Sequence, residues 1–227
     1  QGGDNEKLIF KIMKRGEKLN LETAQSEADL TDSGLRYDLT VPLSRFYSNN
    51  ANDLPTPFKA LQMGSVWRAD RPQRGRFRQF VQCDIDILGE PTCLAEIELI
   101  LATTTLLGKL NFKDFKVRIN ERRILKAMAS YSGFTEDQYD QVFIILDKMD
   151  KIGWDGVKAE LIESGYPEAN VEKYVTMFDE MEKAEDALAY LSEKLSGVLE
   201  EDVIENLRTI RTSVEATAAS QFQLVFD

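Results

Sequence analysis

Five arginines are concentrated in one short stretch of the chain, between residues 68 and 78. A guanidinium group is planar and carries several fixed N–H donors, so it binds phosphate oxygens through more than one hydrogen bond. Phe80 follows this stretch, and an aromatic ring beside guanidinium groups can stack on a nucleobase. The pattern predicts a site for a nucleoside triphosphate, with nucleic acid as the competing ligand. The five residues are Arg68, Arg71, Arg74, Arg76 and Arg78.

The residue types and motifs that the sequence lacks limit the kinds of reaction it can support. The chain contains no histidine, which excludes a histidine base, nucleophile or metal ligand. It also has neither a GxxxxGK loop nor a GxGxxG turn, so side chains would have to hold the phosphates. Carboxylates, arginines and a divalent cation bound with the ligand remain as the reactive groups. We predict no metal site formed by the protein alone.

The composition indicates a globular protein of a reducing compartment. Hydrophobic residues make up 43% and charged residues 30% of the 227 residues. No apolar run approaches the roughly 20 residues that span a bilayer, and no export signal is evident, so we expect a cytoplasmic protein without membrane contact. Cys83 and Cys93 suit that compartment, although the sequence leaves a disulfide between them open.

Two regions of different charge and periodicity must position these residues. Residues 57–78 carry six basic side chains and one acidic, whereas residues 135–207 carry six lysines and twenty acids. In residues 1–130 we predict strands and one helix, the helix at 93–110. In residues 131–217 apolar residues recur every three or four positions, which predicts an all-helical region. Residues 218–227 are predicted to form a strand that returns to the first region. This is an α+β fold.

The predicted strands at 34–40, 57–68 and 77–88 alternate in polarity. Even positions are mostly polar and odd positions mostly apolar, which is typical of an antiparallel sheet with helices packed on one side and with the other side open to water or ligand. Simple solvation would also explain the polar positions. Phe80 among the polar residues and a gap at Gly64 favour a ligand instead. The even positions include Arg36, Asp38, Thr40, Gln62, Gly64, Arg68, Arg78, Phe80, Gln82, Asp84 and Asp86.

Two motifs resemble those of histidyl-tRNA synthetases, a family of class II aminoacyl-tRNA synthetases. They are LRYDLTVPLSRF and WRADRPQRGRFRQFVQCDIDI, and the likeness covers about residues 5–130. It implies a class II antiparallel sheet flanked by helices, and it implies that the helical region is the insertion placed near the tRNA acceptor arm. The implied activity is ATP-dependent formation of histidyl-adenylate, followed by transfer to tRNA(His), with Mg²⁺ bound to the ATP.

The resemblance also implies roles for individual residues. Arg68 corresponds to the catalytic arginine on the ATP α-phosphate, and Arg76 to the loop arginine on the outer phosphates. Phe80 would stack on adenine, and Asp70 would contact the adenine amino group, although Asp stands where the family usually has Glu. The histidine substrate would contact Asp38, Thr40, Gln82 and Asp86, the last through its imidazole. In the acidic helical region, a lysine cluster is the candidate tRNA contact, formed by Lys148, Lys151 and Lys158.

The resemblance implies further segments on both sides of this chain. A dimer-forming motif would precede residue 1, and a third class motif and an anticodon-binding domain would follow Asp227. We therefore expect a homodimer at full length, and no aminoacylation by these 227 residues alone. Two other functions stay open. One is a synthetase-like regulator that senses histidine without charging tRNA, and the other is a nucleic-acid-binding module.

Overall fold

A computed structural model describes residues 3–226 of the chain. The chain divides into two compact units, one ending at Thr92 and the other beginning at Cys93. The predicted boundary near residue 130 lies inside a helix of the second unit, at Arg122–Ser132. Each unit is described by itself below.

The first unit consists of two antiparallel strand pairs and one helix of several turns. Two turns of 3-10 helix, Gly3–Leu8 and Gly16–Lys18, flank the first strand. Strand β1 pairs with β2, and β3 pairs with β4. The elements in chain order are β1 (Lys11–Met13), α1 (Glu27–Leu30), β2 (Thr31–Gly34), α2 (Thr40–Asn50), β3 (Phe58–Trp67) and β4 (Gln79–Leu88).

Strands β3 and β4 form a regular ten-residue hairpin, as the sequence predicts. Val66 lies opposite Phe80, and the register continues without a shift to Phe58 opposite Leu88. Even-numbered residues therefore face even-numbered residues, and they share one side of the hairpin. We call the two sides the even face and the odd face. The predicted alternation is confirmed.

The two faces of this hairpin are not covered in the way that the sequence predicts. The apolar odd face is exposed, with Leu61, Met63 and Val81 at 67%, 71% and 66% of their full accessibility. The even face is covered instead, and Val66 on it is completely buried. The expectation that the apolar side would be packed and the polar side open is wrong for this unit. The reason lies in residues 35–39, which cross the even face.

The predicted strand at 34–40 is also wrong. Strand β2 ends at Gly34, residues 35–39 are irregular, and Thr40 begins helix α2. Pro42 lies in the first turn of that helix, where a missing N–H costs nothing. Leu39 is only 4% exposed, so the segment turns inward at this point and then enters the helix. The division of this segment into even and odd sides therefore does not hold.

The second unit contains most of the helices. Its two strands, β5 and β6, pair in parallel over five residues, with Phe115 opposite Phe222. Strand β6 occupies Phe222–Phe226 of the segment 218–227 that is predicted to be a returning strand. The elements are α3 (Leu94–Lys109), β5 (Phe115–Ile119), α4 (Arg122–Ser132), α5 (Tyr139–Leu146), α6 (Met149–Glu163), α7 (Glu168–Lys183), α8 (Ala187–Lys194), α9 (Glu201–Thr217) and β6 (Phe222–Phe226).

Helices α4 to α9 enclose the main hydrophobic core. Apolar residues at helical spacing meet there, including the fully buried Val157, Leu161 and Tyr174. The helix ends carry the expected caps: the Asp186 carboxylate accepts hydrogen bonds from Leu188 N and Ala189 N at the start of α8. Gly133 ends α4 in a left-handed conformation, with φ of 96°. The described elements between residues 131 and 217 are all helices.

The whole chain is thus mixed in helix and sheet, as predicted. Its described strands form three separate two-stranded sheets, one of them parallel, so a single antiparallel sheet is not present among residues 3–226. Cys83 and Cys93 are free thiols. None of the described helices has the length and apolar character needed to cross a membrane.

Candidate functional site

Arg68 is held by contacts on several sides at the end of strand β3. Its Nε donates a hydrogen bond to the Tyr37 carbonyl oxygen at 3.2 Å. Its guanidinium carbon lies 4.3 Å from the centre of the Tyr37 ring and 5.2 Å from that of Phe80. Nη2 reaches Gln82 Oε1 at 3.5 Å, at the long limit of a hydrogen bond. Two rings and two acceptors therefore fix the orientation of this guanidinium.

The segment before α2 is anchored to the hairpin by Arg36. Trp67 N donates to the Arg36 carbonyl oxygen at 2.9 Å, and Arg36 Nε donates to the Ser65 carbonyl oxygen at 2.7 Å. The gap predicted at Gly64 is occupied by this arginine, because a Cβ added there would lie 3.2 Å from Arg36 Nη2. Asp38 lies half-buried in the same segment, and Thr40 is exposed at the first position of α2.

A row of polar side chains continues along the even face away from Arg68. Gln82 Nε2 donates to both carboxylate oxygens of Asp84 at 2.9 Å. Gln62 Nε2 approaches Asp86 Oδ2 at 3.4 Å from the neighbouring strand. All four side chains are half-buried. The even face is therefore cationic and aromatic near Arg68 and acidic toward Asp86, which suits a ligand with an anionic group at one end and a hydrogen-bond donor or cation at the other.

The loop between the two strands carries most of the positive charge. Gly75, at φ of 78°, allows the tight turn at its tip, where Gln73 and Arg76 exchange main-chain hydrogen bonds. Arg76 lies 3.7 Å from the Asp70 carboxylate, and Arg78 Nε donates to the Asp70 carbonyl oxygen at 3.1 Å. Asp70 and Arg76 are thus neighbours, which brings two of the predicted ATP contacts together.

Two further arginines project from this loop into solvent. Arg71 and Arg74 are exposed and have no ion pair with any residue in the described part of the chain. Their charge is therefore available to an anion that reaches the loop. No group of three or more acidic or cysteine side chains in residues 3–226 is arranged to hold a metal ion.

The lysine cluster in the helical region is largely compensated by acids. Lys148 forms an ion pair with Glu160, and Lys158 forms one with Glu172. The hydrogen bond to Glu172 raises the pKa of Lys158 above its ordinary value. Lys151 is exposed and has no ion pair within the described residues. The three side chains therefore do not present equal charge to an anionic partner.

Sequence reasoning missed Tyr37 as a site residue. The alternation assigned it to the apolar side of a strand, whereas its ring and its carbonyl oxygen both contact Arg68. Pro42 was the available signal, because a proline in a first helical turn indicates that the strand must end a few residues earlier. Arg36 was placed among the polar positions, but its anchoring role depends on a main-chain contact with Ser65 that no side-chain pattern reveals.

Comparison with known proteins identifies what the chain is similar to. A family model described as "Histidyl-tRNA synthetase" matches residues 16–227. The histidine–tRNA ligase of Leifsonia xyli subsp. xyli is 52% identical over 166 residues, which is 71% of this chain and 38% of that protein. The histidine–tRNA ligase of Christiangramia forsetii is 34% identical over 239 aligned positions, covering 100% of this chain and 52% of that protein.

Two solved structures also resemble the fold of this chain. A histidyl-tRNA synthetase from Nostoc sp. PCC 7120 superposes with a TM-score of 0.70 and 28% identity, over 91% of this chain and 51% of that one. A Bacillus halodurans protein, described as an ATP phosphoribosyltransferase regulatory subunit/histidyl-tRNA synthetase, has a TM-score of 0.68 at 18% identity, over 97% and 53%. At that identity the second likeness concerns the fold alone. The chain spans about half or less of the length of these relatives.

Proposed function

Because the chain belongs to the histidyl-tRNA synthetase family, we propose that it forms part of a histidine–tRNA ligase. The complete enzyme would use ATP to activate histidine as histidyl-adenylate and would then transfer the histidyl group to tRNA(His). In this proposal the hairpin of β3 and β4 belongs to a class II antiparallel sheet flanked by helices, and residues 131–217 form the insertion domain. A cytoplasmic homodimer is the form we expect at full length.

Arg68, Asp70, Arg76 and Phe80 are proposed to bind ATP. The fixed guanidinium of Arg68 suits the α-phosphate, since it already has its orientation before any ligand binds. Arg76, next to Asp70 at the loop, suits the outer phosphates, and Mg²⁺ would arrive bound to them. The Phe80 ring, 5.2 Å from the Arg68 guanidinium carbon, would stack on adenine.

Asp38, Thr40, Gln82 and Asp86 are proposed to bind histidine. The acidic end of the even face suits the α-ammonium group and the imidazole N–H of this amino acid. Asp86 would give the discrimination: an apolar side chain would cover this half-buried carboxylate without donating a hydrogen bond to it, which would weaken binding by about 1–3 kcal/mol.

The chemistry proposed here requires charge stabilisation more than proton transfer. The histidine carboxylate attacks the α-phosphorus, the bond from that phosphorus to the α,β-bridging oxygen breaks, and pyrophosphate leaves. Negative charge on the α-phosphate oxygens grows along this path, and an arginine already oriented toward them stabilises the transition state without reorganising. This step in the complete enzyme requires no histidine side chain. The fixed orientation of Arg68 between Tyr37 and Phe80 is the observation that carries the proposal.

The acceptor arm of tRNA(His) is proposed to contact the helical region. Lys148, Lys151 and Lys158 are the candidate contacts. The exposed Lys151 is the strongest of them, because it forms no ion pair within the described residues. The strongly acidic character of this region would repel RNA elsewhere, which would confine the contact to a small part of the surface.

Histidine-dependent exchange of pyrophosphate into ATP tests the proposed function. The measurement uses the full product of the gene, with histidine and with the other nineteen amino acids in separate reactions. We expect exchange with histidine alone, and charging of tRNA(His) by the same preparation. Exchange that does not depend on histidine, or its complete absence, would contradict the proposal.

A histidine-sensing regulatory protein is the second candidate. We retain this candidate because the structurally similar Bacillus halodurans protein is described as a regulatory subunit as well as a synthetase. The arginines of the hairpin and the helical region, both present here, argue for the enzyme. Histidine binding without exchange or tRNA charging would support the regulator.

A further inference from the structure

The second unit contains a cleft of about 590 Å³ that none of the proposed histidine, ATP or tRNA contacts lines. Its lining includes residues of helices α4 to α9 and of strand β6. The volume lies within the range of about 300–1,000 Å³ that small-molecule sites occupy. The cleft therefore has room for a ligand of the size of an amino acid or a larger amine.

Part of the lining of the cleft is apolar and aromatic. The Trp154 and Phe178 rings lie 4.9 Å apart at an angle of 35°. Trp154, Met181 and Leu224 are half-buried and keep part of their surface in the cleft. An aliphatic or aromatic body of a ligand would remove this surface from water, which stabilises the bound state by about 25 cal/mol per Å² of apolar surface covered.

The rim of the cleft is negatively charged. Asp147, Glu182 and Glu185 are exposed and have no ion pair with any residue between 3 and 226. One cation lines the cleft, Arg211, and it pairs with Glu215 at 3.1 Å. The remaining acid of the rim, Asp186, accepts from Arg208 and caps α8. Three carboxylates that form no ion pair among the described residues thus lie around the aromatic side chains of the cleft.

We infer that this cleft binds a small organic cation, with an apolar body on Trp154 and an ammonium or guanidinium group at the acidic rim. An anionic ligand of the same shape would be repelled by the carboxylates, and a neutral one would gain only the apolar contact. The electron-rich face of an indole ring adds to the attraction for a cation. No residue of the proposed catalytic site takes part, so binding of a cation here can be present or absent independently of the proposed enzyme activity.

Tryptophan fluorescence of the 227-residue chain provides a direct test. The chain has two tryptophans, and Trp67→Phe leaves Trp154 as the single reporter. The probes are cyclohexylmethylammonium and its neutral counterpart cyclohexylmethanol, which share a shape and differ in charge. We expect saturable change in the Trp154 emission with the cation, and a Kd about threefold to tenfold lower than that of the alcohol. Equal Kd values, or no saturable change with the cation, would overturn the inference.

Substitution of the rim acids separates charge from shape. In the double variant E182Q/E185Q we expect the Kd of the cation to rise about threefold to tenfold and that of the alcohol to stay unchanged. Glu163→Gln, an exposed acid on α6 that does not line the cleft, is the matched control and should leave both Kd values unchanged. Calorimetric titration of the unsubstituted chain with both probes repeats the comparison if Trp67→Phe fails to fold. A cation affinity that survives in the double variant would contradict the inference.

Discussion

The Arg68 guanidinium lies over the Tyr37 ring, 4.3 Å from its centre, and donates to the main-chain oxygen of the same residue at 3.2 Å. A residue of the irregular segment before α2 therefore positions the arginine that follows strand β3, 31 residues further along the chain. Such a contact fixes the side chain before ligand arrives, so less entropy is lost when a phosphate binds.

Replacement of Tyr37 tests this positioning. We expect Tyr37→Leu to raise the KM for ATP about threefold to tenfold in the complete enzyme, because the lost cation–π contact is worth about 0.5–2 kcal/mol. Tyr37→Phe keeps the ring and should stay within about twofold of the unsubstituted enzyme. Steady-state exchange kinetics with varied ATP give both values. The same loss in both variants would contradict positioning by the ring, and an unchanged KM for ATP in Tyr37→Leu would remove the role altogether.

Removal of Arg68 itself should affect the chemical step. We expect Arg68→Ala to lower the rate of pyrophosphate exchange by on the order of a hundredfold or more, as for other preorganised charge-stabilising groups. Arg68→Lys keeps the charge but not the planar, multidentate group, so its rate should lie between the two. Circular dichroism checks that both variants fold. If Arg68→Ala retained more than half of the rate, the proposed role on the α-phosphate would be wrong.

The three lysines of the helical region should contribute unequally to tRNA binding. Lys151→Glu is expected to raise the KM for tRNA(His) and to reduce the slope of log affinity against log salt by about 1, as loss of one phosphate contact does. Lys148→Glu should have the smaller effect, because Glu160 already offsets that charge. Aminoacylation at several salt concentrations gives both quantities. Equal effects of the two substitutions would argue against the ion-pair explanation, and no effect of either would exclude this surface as the tRNA contact.

The cap of helix α8 should make stability depend on pH. Hydrogen bonds from Ala189 N and from Arg208 lower the pKa of Asp186 below its ordinary value. The stabilisation is therefore present above the pKa of an unfolded Asp and is lost as the pH falls through the lower, folded value. We expect Asp186→Ala to reduce the free energy of unfolding at neutral pH by about 1 kcal/mol.

Asp186→Asn is the matched variant, since Asn caps a helix nearly as well but carries no charge. It should lose less stability than Asp186→Ala at neutral pH, and its stability should fall less steeply in acid than that of the unsubstituted chain. Urea unfolding at several pH values measures this. A neutral-pH loss in Asp186→Asn as large as that in Asp186→Ala would show that the cap geometry contributes little.

Removal of the Tyr174 hydroxyl is expected not to destabilise the protein, in contrast to removal of the Asp186 cap. Tyr174 is completely buried between Phe134 and Phe178, and its hydroxyl has no hydrogen-bond partner within residues 3–226. Burial also raises the pKa of this hydroxyl. A buried polar group without a partner destabilises the folded state, so Tyr174→Phe should leave the free energy of unfolding unchanged or increase it by up to about 1 kcal/mol.

Tyr166 is the control for this substitution. It is also buried, but its hydroxyl donates to Gln141 Oε1 at 3.0 Å, so Tyr166→Phe should lose about 1 kcal/mol. Urea unfolding of both variants gives the comparison. A clear loss of stability in Tyr174→Phe would mean that the Tyr174 hydroxyl does have a partner in solution.

Local patterns predicted much of this structure, and long-range contacts account for what they missed. The alternation in β3 and β4 and the helical spacing of α6 to α9 are properties of neighbouring residues, so they could be read from the sequence. The path of residues 35–39 depends on contacts with Ser65 and Trp67, about thirty positions away, which no local pattern contains. Which face of the hairpin is covered also depends on these long-range contacts. The roles of Arg68, Asp70, Arg76 and Phe80 came from the family resemblance and stay predictions.

Within the described residues only one face of the hairpin of β3 and β4 is covered, and Leu61, Met63 and Val81 on its odd face are exposed. Two strands held by main-chain hydrogen bonds and a single buried face separate readily, so amide hydrogens here should exchange with solvent at a lower opening free energy than those inside the α4–α9 bundle. A nucleotide that touches both strands would have to suppress this opening. Ordering the protein in this way would reduce the net free energy of nucleotide binding. A group that covers Leu61 and Met63 would stabilise the hairpin beforehand, and it would therefore strengthen nucleotide binding without touching the nucleotide.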